Sequence, residues 1–223
     1  MTAPRLTGTL LLALSLLGCS ALHPGKPPML YALDSAPPAV GGAGGDQRPP
    51  PGISAKAADG APTLVVNQPR AAAGYDSQRM IYLRQPYALE YFANSQWVDT
   101  PAHMLQPLIV AAIERRGKFA AVVPTPVSAT GDIRLETELI RLQQEFLSRP
   151  SRVRFTLSAT ITDVATRRVI AWRQFDAIVP TASDDPYGGV VAANRAVGEV
   201  LEQLADFCAA LTDGSDTAGE RRR

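Results

Sequence analysis

Apolar and polar residues alternate strictly along residues 152–162. The apolar positions are Val153, Phe155, Leu157, Ala159 and Ile161. A repeat of two residues is typical of a β-strand with one face buried and the other in solvent. Residues 133–146 and 169–179 form extended segments before and after it, each separated from it by a short turn. The pattern therefore predicts successive hairpins, whose strands are antiparallel.

Two helices are predicted from apolar residues spaced three or four positions apart. The first begins at Thr100, an N-cap residue that a proline follows, and ends at Gly117, with Pro107 inside it. The second begins after Asp184-Asp185-Pro186 and carries an apolar stripe up to residue 211. The stripe includes Cys208, which we interpret as a small core residue. The polar residues 213–223 are expected to form a disordered tail.

Shorter strands are predicted at residues 29–33, 63–68, 79–84, 87–92 and 119–123. Asn94 and Ser95, two residues that favour turns, predict a tight reversal after the fourth of these. Residues 34–62 contain six prolines and six glycines with almost no large apolar side chain, so they are expected to form a flexible loop. The fold class predicted is α+β, with a mostly antiparallel sheet and two helices packed on one face. One domain is expected over residues 29–212.

The N-terminal residues have the pattern of a secretory signal peptide: Arg5, an apolar run at 10–17 and a small residue before the cleavage point. The run is too short to span a bilayer, which takes roughly 20 apolar residues. Residues 16–19, Leu-Leu-Gly-Cys, resemble the bacterial lipobox. We expect a signal peptide at 1–18, a covalent lipid on Cys19 and a lipidated tether over 19–28. The alternative is an ordinary signal peptide with a chance cysteine.

Charge and motifs exclude several kinds of function. Removal of residues 1–18 takes away Arg5 and leaves 21 basic and 21 acidic residues, so no basic field for nucleic acid remains. The two histidines, at 23 and 103, have no metal-ligand spacing, and neither a phosphate-binding loop nor a nucleophile elbow is present. Glu136 and Glu138 are interpreted as exposed charges on a half-buried strand. We expect a protein that is not an enzyme and has no cofactor besides its lipid.

Aromatic residues are concentrated within residues 82–97. They are Tyr82, Tyr87, Tyr91, Phe92 and Trp97. One interpretation is that they pack the core beside the first helix. The other is that they form an apolar patch for a partner protein or an acyl chain. Under the second interpretation, the candidate contact residues are Tyr82, Tyr91, Phe92 and Trp97.

Residues 79–82, Arg-Met-Ile-Tyr, and 91–97, Tyr-Phe-Ala-Asn-Ser-Gln-Trp, followed by Pro101 and its helix, resemble the ABC-type transport auxiliary lipoprotein family of the PqiC-like type. The resemblance extends over residues 29–212. Two features depart from the family pattern, the long loop at 34–62 and the proline at 107.

The resemblance implies a periplasmic lipoprotein anchored to the outer membrane, and Ser20 after the lipidated cysteine agrees with outer-membrane sorting in enteric bacteria. The implied partners are an MCE-domain protein and the permease and ATPase of an ABC transporter, which move lipid or other hydrophobic molecules between the two membranes. A homo-oligomeric ring is also implied. The alternatives are a lipoprotein that binds a hydrophobic ligand by itself and a structural lipoprotein of envelope assembly.

Overall fold

The computed structural model describes residues 27–34, 60–126 and 131–220, with side chains up to residue 212. The strands are β1 Met29–Tyr31, β2 Thr63–Val66, β3 Arg70–Ala71, β4 Arg79–Leu83, β5 Glu90–Trp97, β6 Ala121–Pro124, β7 Ile133–Glu145, β8 Arg152–Asp163 and β9 Val169–Pro180. The helices are α1 Pro101–Glu114 and α2 Pro186–Glu220. The predicted signal peptide, Cys19, most of the tether and most of the loop at 34–62 lie outside the described residues.

The hairpins predicted from strict alternation are confirmed. Strand β8 pairs antiparallel with β7 along its whole length and with β9 on its other side. Leu157 lies opposite Leu139 on one neighbour and Phe175 on the other, and all three side chains are buried. A bulge between Leu139 and Arg141 shifts the alternation of β7. The apolar face of these three strands forms one side of the hydrophobic core.

The α+β class is confirmed, but the prediction of a mostly antiparallel sheet is wrong in part, because the sheet is mixed. Strands β2, β3 and β4 pair one after another with the edge of β7 that faces away from β8, and all three are parallel to β7. Strand β6 is parallel to β2, and β1 is parallel to β5. The segments between β2 and β4 do not reverse the chain direction, so these three strands continue along β7 in one direction. Helix α1 connects β5 to β6, which run in opposite directions.

The reversal predicted at Asn94-Ser95 is also wrong. Both residues lie inside β5, where Ser95 pairs with Met29 of β1 and is 5% exposed. The turn that joins β4 to β5 lies earlier, at residues 84–89. Pairing with a distant strand therefore overrides the local preference of Asn and Ser for turns.

Both helices cover the apolar face of the sheet and contact each other. The Thr100 hydroxyl accepts a hydrogen bond from the His103 N–H at 3.4 Å, which confirms the predicted N-cap of α1. The Asp185 carboxylate accepts one from the Gly188 N–H at 2.7 Å at the start of α2. Ion pairs from Arg115 and Arg116 to Glu202 of α2, at 3.0 and 2.7 Å, join the two helices.

Helix α2 supplies a large part of the core. Its Val197, Val200, Leu204 and Cys208 are fully buried, so the interpretation of Cys208 as a core residue is confirmed. Burial raises the pKa of the Cys208 thiol to about 12. The helix continues to Glu220, past the end of the apolar stripe. Within the described residues, neither helix has the length and apolarity that crossing a membrane requires.

Candidate functional site

The β4–β5 hairpin carries the aromatic candidate residues, and two of their rings pack against a third ring from the end of β7. The rings of Tyr82 and Phe92 lie 4.5 Å apart, and Phe146 contacts them edge-on at 5.8 and 6.4 Å. Phe146 directly follows β7, and its N–H donates to the Leu83 carbonyl at 2.8 Å. Sequence analysis missed Phe146 because it lies far from the aromatic run along the chain. Such a cluster stabilises the hairpin against β7.

The four predicted contact residues do not form one surface. Trp97 is buried in the core at 4% exposure, whereas Tyr91 is 39% exposed. Tyr82 and Phe92 are intermediate, and Phe92 packs against the core. The interpretation as core residues therefore fits Trp97 and in part Phe92. Of the four, Tyr91 is the one that solvent reaches most readily.

Charged side chains on the exposed surface of the hairpin hold its two strands together. The Glu90 carboxylate accepts hydrogen bonds from Arg84 Nε at 2.9 Å and from the Tyr82 hydroxyl at 3.1 Å. The hydrogen bond from Arg84 lowers the pKa of Glu90 below its ordinary value. The Arg79 guanidinium lies 4.9 Å from the centre of the Tyr91 ring. These contacts orient the hairpin, and they leave Glu90 ionised at neutral pH.

A small pocket lies between the hairpin, the centre of the sheet and the first turns of α2. Its lining includes Met80, Phe92, Trp97, Leu142, Gln144 and Val153. The cavity volume is about 20 Å³. This is room for one water, whereas sites for drug-sized ligands take about 300 Å³ or more. The pocket cannot hold an acyl chain in this conformation.

The described residues offer no group of histidine, cysteine or acidic side chains that could hold a metal ion. Glu136 and Glu138 on β7 are half-buried, and Glu136 accepts a hydrogen bond from the Asn67 amide at 3.3 Å. This contact agrees with a structural role for Glu136.

Sequence comparison matches residues 47–205 to the model of the ABC-type transport auxiliary lipoprotein component family. The chain belongs to this family. The resemblance found in the aromatic stretch is thereby confirmed. As a family member, this auxiliary lipoprotein is a component of an ABC-type transport system and is anchored to a membrane of the cell envelope. No curated protein shows significant similarity to it.

Solved structures support the fold. A Xanthomonas campestris protein of family DUF330 is 25% identical, with a TM-score of 0.63 over 70% of this chain and 88% of its own. An uncharacterized protein is 12% identical, with a TM-score of 0.57 over 83% of this chain and 98% of its own. PelC from Paraburkholderia phytofirmans, a dodecamer, is 15% identical over 64% of this chain and 86% of its own, at a TM-score of 0.38. The last similarity is too low to carry an argument about assembly.

Proposed function

We propose that this auxiliary lipoprotein is a periplasmic docking component of an ABC-type system that moves lipid or other hydrophobic molecules between the inner and outer membranes. Its lipid on Cys19 holds the domain at the outer membrane. Its partners are an MCE-domain protein and the permease and ATPase of the transporter. The observation that carries the proposal is the family match over residues 47–205, in a chain whose residues 16–19 resemble a lipobox.

Docking is favoured over carriage of a lipid by the protein alone. The pocket between the β4–β5 hairpin and α2 has a volume of about 20 Å³, and its walls are core side chains such as Trp97 and Leu142. Opening this space to an acyl chain would require separating α2 from the sheet, which would expose a large part of the apolar core. If the lipid instead passes through a conduit formed together with the partner proteins, α2 can stay packed on the sheet.

The lipid anchor is supported by the chemistry of acyl chains. One chain gives marginal membrane binding, with each buried CH2 contributing about 0.8 kcal/mol, whereas two or more chains anchor stably. A diacylglyceryl group on Cys19 supplies at least two. The domain itself then needs no membrane-spanning segment to stay at the membrane.

The test is a pull-down of the tagged full-length protein from native membranes in mild detergent, followed by mass spectrometry. We expect an MCE-domain protein and an ABC permease in the eluate, and their loss when Cys19→Ala removes the anchor. Recovery of a monomer with stoichiometric lipid and without these proteins would instead favour the stand-alone carrier. A deletion that alters a surface polymer and leaves lipid asymmetry unchanged would favour the structural envelope lipoprotein.

A further inference from the structure

Three turns meet at one end of the sheet, which we name the turn end. They are residues 84–89, 146–151 and 181–185. Leu83 pairs with Glu145, and Arg152 pairs with Pro180, so the turns that follow or precede these residues lie side by side. The Thr181 N–H donates to the Ser151 carbonyl at 2.8 Å, which joins the second turn to the third.

Large side chains with apolar surface are exposed in two of these turns and next to the third. Tyr87 in the first turn is 102% exposed, Leu147 in the second is 45% exposed, and Tyr187, in the first turn of α2, is 62% exposed. The backbone of Tyr87 has a positive φ of 69°, which is unfavourable for an aromatic residue. An exposed tyrosine in a strained turn contributes nothing evident to folding, and this combination is typical of functional sites.

Strand β1 starts at the side of the domain that is nearer the turn end. It is parallel to β5, with Met29 opposite Ser95, so its first residue is the one nearer to the start of β5 at Glu90. Gln96 and Glu90 lie opposite Arg79 and Tyr82 of β4, which are three residues or about 10 Å apart. The ten residues from Cys19 to Met29 can span up to about 35 Å. The tether is thus long enough for the turn end to rest on the membrane that holds Cys19.

The opposite end of the sheet fits the tether poorly. Ile133 and Asp163 pair there, about 40 Å from the turn end along β7. It also exposes apolar residues, with Val169 and Trp172 each 63% exposed. To bring this end to the membrane, the tether would have to reverse direction before β1 and run about 25 Å back along the sheet, most of its reach.

The geometry points to the turn end as a membrane-contact surface, with Tyr87, Leu147 and Tyr187 in the interface of the phospholipid bilayer. Tyrosine is enriched at this depth because its ring is apolar and its hydroxyl can stay hydrated. This inference rests on the lipid anchor of the proposed function and adds an orientation to it. The occupant of the surface is the bilayer itself rather than a protein.

The charged residues at the turn end decide whether electrostatic attraction contributes to the membrane contact. The basic residues there are Arg84, Arg149 and Arg152, and the acidic ones are Glu90, Glu145, Asp184 and Asp185. Arg84 pairs with Glu90, and Arg152 pairs with Glu145 at 3.0 Å. Because no excess of positive charge remains, attraction to anionic lipid is not the source of binding. The contact is therefore expected with zwitterionic lipid and at high salt alike.

The test uses lipidated full-length protein with a fluorophore on one introduced cysteine, reconstituted in phosphatidylcholine vesicles. Tyr87→Cys and Tyr187→Cys carry the label at the turn end, and Val169→Cys carries it at the opposite end. Native Cys208 is buried and its thiol pKa is about 12, so it does not compete for the label. Spin-labelled phosphatidylcholine then quenches labels that lie in the interface.

We expect quenching at position 87 or 187 to exceed that at 169 by at least about threefold, in low and high salt. Equal quenching at the two ends, or stronger quenching at 169, would overturn the inference. Flotation of the same vesicles tests the anchor separately. Protein that floats but is not quenched at either turn-end position would refute the orientation alone, whereas protein that fails to float would refute the anchor of the proposed function.

Discussion

Gly189→Ala should destabilise the fold, because the added Cβ would overlap Gln144 Oε1 beneath the first turn of α2. Gln144 is 3% exposed, and its amide Nε2 donates to Ser151 Oγ at 3.0 Å and to the Asp185 carbonyl at 3.4 Å. The side chain cannot move aside without losing these bonds, which costs roughly 1–3 kcal/mol for a buried group left unpaired. Ala improves on Gly in a helix by about 0.5–1 kcal/mol. The net expectation is a loss of about 1 kcal/mol.

Gly198→Ala is the matched control, since it lies in the same helix and a Cβ there would meet nothing within 4 Å. It should gain about 0.5–1 kcal/mol. Thermal unfolding in mild detergent, followed by the tryptophan fluorescence that buried Trp97 and exposed Trp172 give together, measures both variants. The midpoint should fall by roughly 2–4 °C for Gly189→Ala and rise slightly for Gly198→Ala. A Gly189→Ala protein as stable as the control would refute the close packing of α2 on Gln144.

Three further outcomes are expected. Cys19→Ala should move the protein from the membrane to the soluble fraction on centrifugation, with an unchanged unfolding midpoint. Burial raises the pKa of Asp176, but hydrogen bonds from Arg154 and Thr156 lower it more, so the net pKa is below the ordinary value. Asp176→Asn should therefore lower the free energy of unfolding by on the order of 1 kcal/mol at neutral pH. The difference from the parent protein should disappear as the pH falls through the folded-state pKa of Asp176. Urea titrations at several pH values measure it. Cys208 should react with a thiol reagent only at the rate of unfolding, and rapid labelling of folded protein would contradict its burial.

The hairpins and both helices were predictable because their signals are local. Alternation over residues 152–162 identifies β8 from its own side chains, and Thr100 marks the start of α1 in the same way. The parallel pairs were not predictable, because they join residues far apart in the chain, such as Arg70 and Glu138. A short strand has the same pattern whether its neighbour is parallel or antiparallel, so sequence periodicity does not determine this part of the sheet.

The candidate site was harder to predict because of one irregularity in β5. Strict alternation would place Tyr91 and Trp97, which are six residues apart, on the same face of the strand. In the sheet, Tyr91 lies opposite Ile81 of β4, and Gln96 lies opposite Arg79. Because Ile81 and Arg79 are two residues apart and share a face, the register shift places Tyr91 and Gln96 on one face as well. Trp97 consequently points into the core while Tyr91 is exposed. Loss of partner binding after substitution of Trp97 would therefore report damage to the core, and only the same loss after substitution of Tyr91, with the unfolding midpoint preserved, would identify a contact.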